Sequence, residues 1–296
     1  MSWFWAGFAI LALVRRLIIR SGGIGDFIVS LPAMECLRAD YLEVWTASAH
    51  VPLVQFADAA RSMTGTGIDL LGIRETGGLE RLIGELRSFD SIVSWYGTGR
   101  QEFRDLVRKL GLPFRFFPAL PPQGSRVHAT DFYLEQARSI APCECDGVPR
   151  IRCDGARGLS CEESKSATGG SRADQGVRPP QAEDYAVIHP FSGSARKNWP
   201  LEKFRGMAAR LARVMPVRWC AGAEDPPLEG AVRIDDLWEL ARWLARARLY
   251  VGNDSGITHL AAAVGTPVLA LFGASNPRVW SPRGENVRVA WWGGGR

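Results

Sequence analysis

Three short segments carry residue types suited to chemistry at one site. The first is Ser21-Gly22-Gly23-Ile24-Gly25-Asp26. Its glycines let a backbone approach a ligand, and the start of the helix expected to follow favours negative charge. A dinucleotide fingerprint does not fit, because Ile28 stands where the third glycine of G-x-G-x-x-G belongs. Asp26 would repel a pyrophosphate. On a loop facing a cleft it is suited to accept a proton, with a helix cap as the alternative. The second segment is His189-Pro190-Phe191-Ser192-Gly193-Ser194, followed by Lys197-Asn198-Trp199-Pro200. Small hydroxylic residues such as Ser192, placed after a strand, suit phosphate oxygens. Lys197 stands out in a chain that otherwise uses arginine, and its compact ammonium suits a diphosphate; the alternative is a solvated lysine before a helix start. The third segment runs from Val251 to His259. Asp254 or Ser255 suits an N-cap, while the exposed amides around Gly256 suit a phosphate. His259 lies one turn beyond Ser255 on the same helix face, as a ligand-facing or a structural histidine.

Loops of this kind need strands to end and helices to begin. Apolar runs at 17–20, 42–46, 68–71 and 91–95 read as strands, and stretches near 50–57, 79–87, 100–110 and 129–140 as helices. Phe27, Leu31, Met34 and Leu37 are spaced for one helix face. A second block has strands at 185–189, 217–220, 249–251 and 268–272, with helices at 201–214, 237–247 and 257–264. Such alternation predicts parallel βαβ units in two doubly wound α/β domains, with a ligand cleft between them. Residues 17–141 form the first domain and 185–296 the second. Residues 142–184, rich in Gly, Ser, Pro, Cys and charge, read as a flexible linker.

The 296 residues are 46% apolar and 23% charged, which excludes disorder throughout, collagen and coiled coil. The net charge of +5 suits an anionic ligand or membrane surface, and the absence of a dense basic block argues against nucleic acid. Within the extension 1–16, residues 3–14 are apolar but too short to span a bilayer. They read as a peripheral anchor with Trp3, Phe4, Trp5 and Phe8 at the headgroups, as an added core element, or as residues upstream of the true start. Cys36 and Cys220 fall in core-like segments. Cys143, Cys145, Cys153 and Cys161 match no common zinc spacing, so free thiols in a reducing cytoplasm are expected.

Residues 18–38, 189–200 and 249–273 together resemble glycosyltransferase family 9, the ADP-heptose:lipopolysaccharide heptosyltransferases. The last stretch, which opens Leu249-Tyr250-Val251-Gly252-Asn253-Asp254-Ser255-Gly256, is the most specific. The resemblance implies a GT-B fold: two Rossmann-like domains, acceptor side first and nucleotide-sugar side second. It implies an inverting, metal-independent transfer of a heptose or related sugar from an ADP-sugar to lipopolysaccharide inner core or a related glycan. Asp26 then matches the catalytic base and Lys197 the contact to the donor phosphates. Ser192, Asp254, Ser255, Gly256 and His259 match the donor-binding stretches, Glu224 the acid on the ribose, and Ser21, Gly22 and Gly23 the acceptor-side loop. No cofactor or metal is implied. The implied partners are the nucleotide sugar and a lipid-linked glycan, met by a monomer in the cytoplasm or peripherally on the inner membrane face. The absence of any Asp-x-Asp agrees with metal independence. A non-catalytic nucleotide-sugar or glycan-binding homologue and a sugar-nucleotide epimerase are the alternatives. One departure is that the carboxy terminus, ending Trp291-Trp292, gives no clear crossover helix back to the first domain.

Overall fold

The computed structural model describes residues 13–73, 78–153 and 183–292. Most of the amino-terminal apolar run, and residues 154–182 of the expected linker with Cys161, lie outside them. Strands β1 (Arg15–Arg20), β2 (Tyr41–Thr46), β3 (Ala59–Ser62), β4 (Ser91–Ser94) and β5 (Phe114–Phe116) form one parallel sheet, ordered β3-β2-β1-β4-β5. Helices α1 (Ile24–Cys36), α2 (Glu80–Leu86), α3 (Gln101–Lys109) and α4 (Ala129–Arg138) cover it. Because both faces are covered, Leu17, Ile18 and Ile19 are all buried, and the centre of β1 reads as a short apolar run. The expected strand at 68–71 is a 3-10 turn instead, Ile68–Leu70, entered through Gly67 at φ 81°. The third strand is Ala59–Ser62, at the sheet edge. Its half-buried Ala-Ala-Arg-Ser carries no apolar alternation to reveal it. The helix expected near 50–57 is likewise a 3-10 turn, Ser48–Leu53.

The second parallel sheet holds β6 (Glu183–His189), β7 (Val217–Trp219), β8 (Ala247–Asn253), β9 (Val268–Phe272) and β10 (Val287–Trp291), ordered β10-β9-β8-β6-β7. Helices α5 (Leu201–Leu211), α6 (Leu237–Ala245), α7 (Gly256–Ala263) and α8 (Pro277–Trp280) pack on it. Strand order reverses between β1 and β4 in one sheet and between β6 and β8 in the other. Loops at the carboxyl ends of such strands border a natural ligand crevice. The three chemistry-bearing segments follow β1, β6 and β8.

One apolar seam joins the halves. Phe27, Leu31 and Met34 of α1 and Tyr133 of α4 share a buried cluster with Leu240 and Leu244 of α6 and Leu260 of α7. Residues 142–153, the start of the expected linker, lie along this seam as a strap. Ile151 is buried in it and its amide donates to the Ala263 carbonyl at 2.9 Å. The chain also returns to the first domain, through a loop rather than a helix. His128 Nε2 lies 2.9 Å from the Ser281 carbonyl, and Arg283 grips Asp131 with both guanidinium nitrogens.

The expectation of free thiols fails for one pair. Cys36 and Cys143 are disulfide-bonded, with Cα atoms 5.5 Å apart across 107 residues of sequence. The strap carries Cys143 to the end of α1, a meeting that local spacing does not encode. Cys220 is a buried thiol, pushed up to about 12 by burial.

Candidate active site between the two sheets

The loop after β1 turns at Gly22, whose φ of 119° favours glycine, and Gly23 then caps α1 without a side chain. The first amides of α1 are therefore without a side-chain cap. Asp26 sits half-buried in this first turn, and its carboxylate makes no hydrogen bond among the described residues. Arg20, at the end of β1, is buried beneath. Its guanidinium donates to the Asp26 carbonyl (2.8 Å), the Tyr133 hydroxyl (3.0 Å) and Ser30 Oγ (3.0 Å), fixing the turn that presents Asp26. All these partners are neutral, so a full positive charge stays under the loop. Ser21 is half-buried here and Gly22 and Gly23 are exposed.

Across the seam, β8 delivers Asn253, Asp254 and Ser255 to the start of α7. Asn253 is fully buried. It accepts from the Trp199 amide (2.9 Å) and donates to the Pro190 carbonyl (2.7 Å), pinning both ends of the 190–199 loop. Within that loop the Ser192 hydroxyl lies 2.7 Å from Asn198 Oδ1, and Lys197 reaches Asp254 Oδ2 at 2.8 Å. Asp254 is buried and also accepts from the Ser275 hydroxyl. Its carboxylate thus orients Lys197 rather than facing the cleft. A lysine ammonium has three donors, so two remain for a ligand.

Ser255 caps α7 through the Thr258 amide (3.3 Å). Its hydroxyl lies 3.4 Å from His189 Nδ1, and His189 Nε2 lies 3.0 Å from Asp225 Oδ2. Asp225 also accepts from the Gly222 amide at 2.6 Å. With the His189 hydrogen bond as the larger cause, its pKa falls below the usual carboxylate value. The acid turned inward is therefore Asp225, while its neighbour Glu224 is exposed on the same loop. His259 is buried rather than lining the cleft. Burial lowers its pKa to about 4, with His128 and Lys197 adding and Asp254 opposing, so the ring is neutral at pH 7.

The two helix starts touch. A Cβ on Gly256 would stand 1.9 Å from Ile24 Cγ2 and 3.0 Å from the Gly25 amide nitrogen, so only glycine fits there. Gly25 in turn lies against Gly256 and the His259 ring. Asp26 and the amides of α7 are thereby held at one locus, with Lys197 tethered beside it. Beyond the His189–Asp225 pair is a recess of about 760 Å³ lined by Leu201, Arg205, Asp225, Leu228, Glu229 and Arg233. Arg20, His189, Asp225 and Asn253 escaped the sequence reading of the site. The last three lie in or beside the motifs, but only their pairing shows their work.

Two doubly wound parallel sheets, with their switch-point loops facing across a shared seam, define a GT-B-type α/β protein. Residues 156–294 match the family model for glycosyltransferase family 9 (heptosyltransferase). Among curated relatives it is 31% identical over 128 residues to lipopolysaccharide heptosyltransferase 3 of Escherichia coli K12. That match covers 38% of this chain and 37% of the relative. It is 39% identical over 93 residues to lipopolysaccharide heptosyltransferase 1 of Pseudomonas aeruginosa, covering 27% and 26%. The chain thus matches between about a quarter and little more than a third of these relatives' length. Among solved structures, E. coli heptosyltransferase WaaC with ADP superposes with a TM-score of 0.63 at 17% identity, covering 94% of this chain and 93% of that one. E. coli ADP-heptose LPS heptosyltransferase II gives 0.65 at 18% identity, covering 94% and 90%. These two likenesses extend the shared fold to the amino-terminal half.

Proposed function

We propose that the chain is an inverting glycosyltransferase that moves a heptose, or a closely related sugar, from an ADP-sugar to a lipid-linked glycan of the lipopolysaccharide-core type. The observation that carries this reading is the contact of Gly25 with Gly256, which brings the α1 and α7 starts together. A carboxylate stands on one side of that contact, and a lysine with helix amides on the other. Asp26 takes the proton of the acceptor hydroxyl as its oxygen attacks the anomeric carbon. The bond to the diphosphate breaks in the same displacement, so configuration inverts and no protein nucleophile is needed. Charge then grows on the leaving diphosphate. Lys197 and the amides at Gly256 and Ile257 receive it, the helix dipole adding to the charge-assisted hydrogen bonds.

Within this reading the nucleoside occupies the 760 Å³ recess, a volume in the range of ligand pockets. Glu224 reaches the ribose from the adjoining loop. Asp254 and His259 act behind the donor, the first by holding Lys197 and the second by filling the space under Gly25. Ser192 and Ser255 offer hydroxyls to the phosphates. With Lys197 and helix amides neutralising the diphosphate, and no Asp-x-Asp to seat a cation, turnover needs no Mg²⁺ or Mn²⁺. The chain works as a monomer on the inner face of the cytoplasmic membrane.

The test is mass spectrometry of reactions with a panel of nucleotide sugars and deacylated core acceptors. ADP-heptose should be consumed only when acceptor is present, and adding Mg²⁺ or Mn²⁺ should not change the rate. Epimerised donor without acceptor, or a strict cation requirement, would overturn the proposal.

A further inference from the structure

At the far end of α1 from Asp26, three sulfur atoms meet. Cys36 is the last residue of the helix, and Cys143 and Cys145 arrive on the strap. Their Sγ atoms all lie within 4.8 Å of one another, with Cys36 and Cys145 at 3.5 Å. A crosslink needs two sulfurs. The Cys36–Cys143 bond accounts for two and leaves the Cys145 thiol packed against them. Three converging sulfurs are instead a donor set for a thiophilic metal, which binds thiolates at about 2.3 Å and spaces them roughly 3.8 Å apart in a tetrahedron. Charges of both signs surround the cluster: Arg38 and Arg152 lie close enough to act on the Glu35 carboxyl, one residue before Cys36, and Arg150 is paired with Asp146. Arg138 Nε donates to the Cys143 carbonyl at 3.1 Å.

We propose that reduced Cys36, Cys143 and Cys145 bind one thiophilic divalent ion, of which zinc is the type, as a structural clamp. The disulfide is the oxidised, metal-free state of the same residues. A dithiol reductant supplies two electrons and two protons to the Cys36–Cys143 bond and leaves as its own disulfide. The three thiols then lose three protons as the ion binds. Cys143 and Cys145 are only half-buried, so water reaches the fourth position. The ten-residue separation of Asp26 and Cys36 along α1 puts roughly 15 Å between this ion and Asp26, which makes its role mechanical. The ion fastens the strap to the back of α1. Six residues further on, Ile151 of the same strap is bonded to the back of α7.

The full chain, reduced with excess dithiothreitol and desalted without oxygen, should take up one equivalent of Co²⁺. The complex should show the thiolate-to-cobalt charge-transfer and visible bands of a tetrahedral sulfur site, and Zn²⁺ should bleach them. Zinc should raise the Tm of the reduced chain and leave that of the oxidised chain unchanged. Cys145→Ser retains the disulfide partners, so it isolates the third ligand. It should weaken zinc binding at least about tenfold against a chromogenic chelator, while Cys220→Ser should bind as the parent does. A reduced parent chain that takes up no stoichiometric metal overturns the proposal, as does Cys145→Ser binding zinc with parental affinity.

Discussion

Replacing Gly256 with alanine places one methyl group where the two helix starts meet. The added carbon would overlap Ile24 Cγ2 at 1.9 Å and press on Gly25 N at 3.0 Å and Ile24 Cβ at 3.2 Å. None of these atoms is the free end of a long side chain. Rotating Ile24 removes only the first overlap, so α1 and α7 must separate by some tenths of an ångström. Overpacking of this kind costs about 1–3 kcal/mol, and at this chain length 1 kcal/mol lowers Tm by roughly 2–4 °C. Gly256→Ala should therefore melt about 2–12 °C lower and bind ADP more weakly, because the amides of α7 move with the helix. Gly25→Ala is the control. Its Cβ would meet Gly256 Cα and the His259 ring at 3.5 Å, an ordinary contact, so its Tm should change by less than half as much. In an Ile24→Ala background the Gly256→Ala penalty should shrink, giving a coupling of about 0.5–3 kcal/mol between residues in contact. Scanning calorimetry and ADP titration of the parent and the four variants provide the measurement. Unchanged Tm and ADP affinity in Gly256→Ala would refute the argument that the helix starts touch.

Asp26→Asn should lower kcat by at least about 10²-fold with ADP-heptose affinity within a few-fold, as for loss of a general base; parental turnover would remove Asp26 from that role. Lys197→Ala should weaken ADP binding by about 1–3 kcal/mol, the range for a charge-assisted hydrogen bond, and Lys197→Arg should recover only part by calorimetry. Because Lys197 also neutralises buried Asp254, the alanine variant should melt below the parent and below Lys197→Arg. Acid should destabilise the fold through His50 and His259, both lowered to about 4 chiefly by burial. Their folded pKa lies below the unfolded value near 6.5. Their contribution is therefore complete above pH 6.5 and lost as pH falls toward 4, with proton uptake on unfolding. His50→Gln should flatten the Tm-against-pH curve in that window by about one proton.

What the sequence made legible follows from how local each signal is. The centres of β1 (Leu17–Ile19) and β8 (Leu249–Val251) show as short apolar runs because parallel sheets bury both faces, and each is followed by small and polar residues. β3 was invisible because an edge strand of Ala-Ala-Arg-Ser has no pattern to read. Asp225 and Glu224 differ only in which way a turn points them. The Lys197–Asp254 pair converts two expected ligand contacts into one contact and its support, which no spacing across 57 residues could signal. The disulfide is hidden for the same reason.

The seam through α1, α4, α6 and α7 bears on how the molecule unfolds. Neither sheet keeps its inner helices covered without the other, since Phe27 and Tyr133 share one buried cluster with Leu240 and Leu260. Separating the halves would expose that cluster and break the Arg283–Asp131 and His128–Ser281 links together. Two sheets that look like two domains are then one cooperative unit. Heating should give a single calorimetric transition, and a chain cut between residues 154 and 182 should stay associated until it melts as a whole.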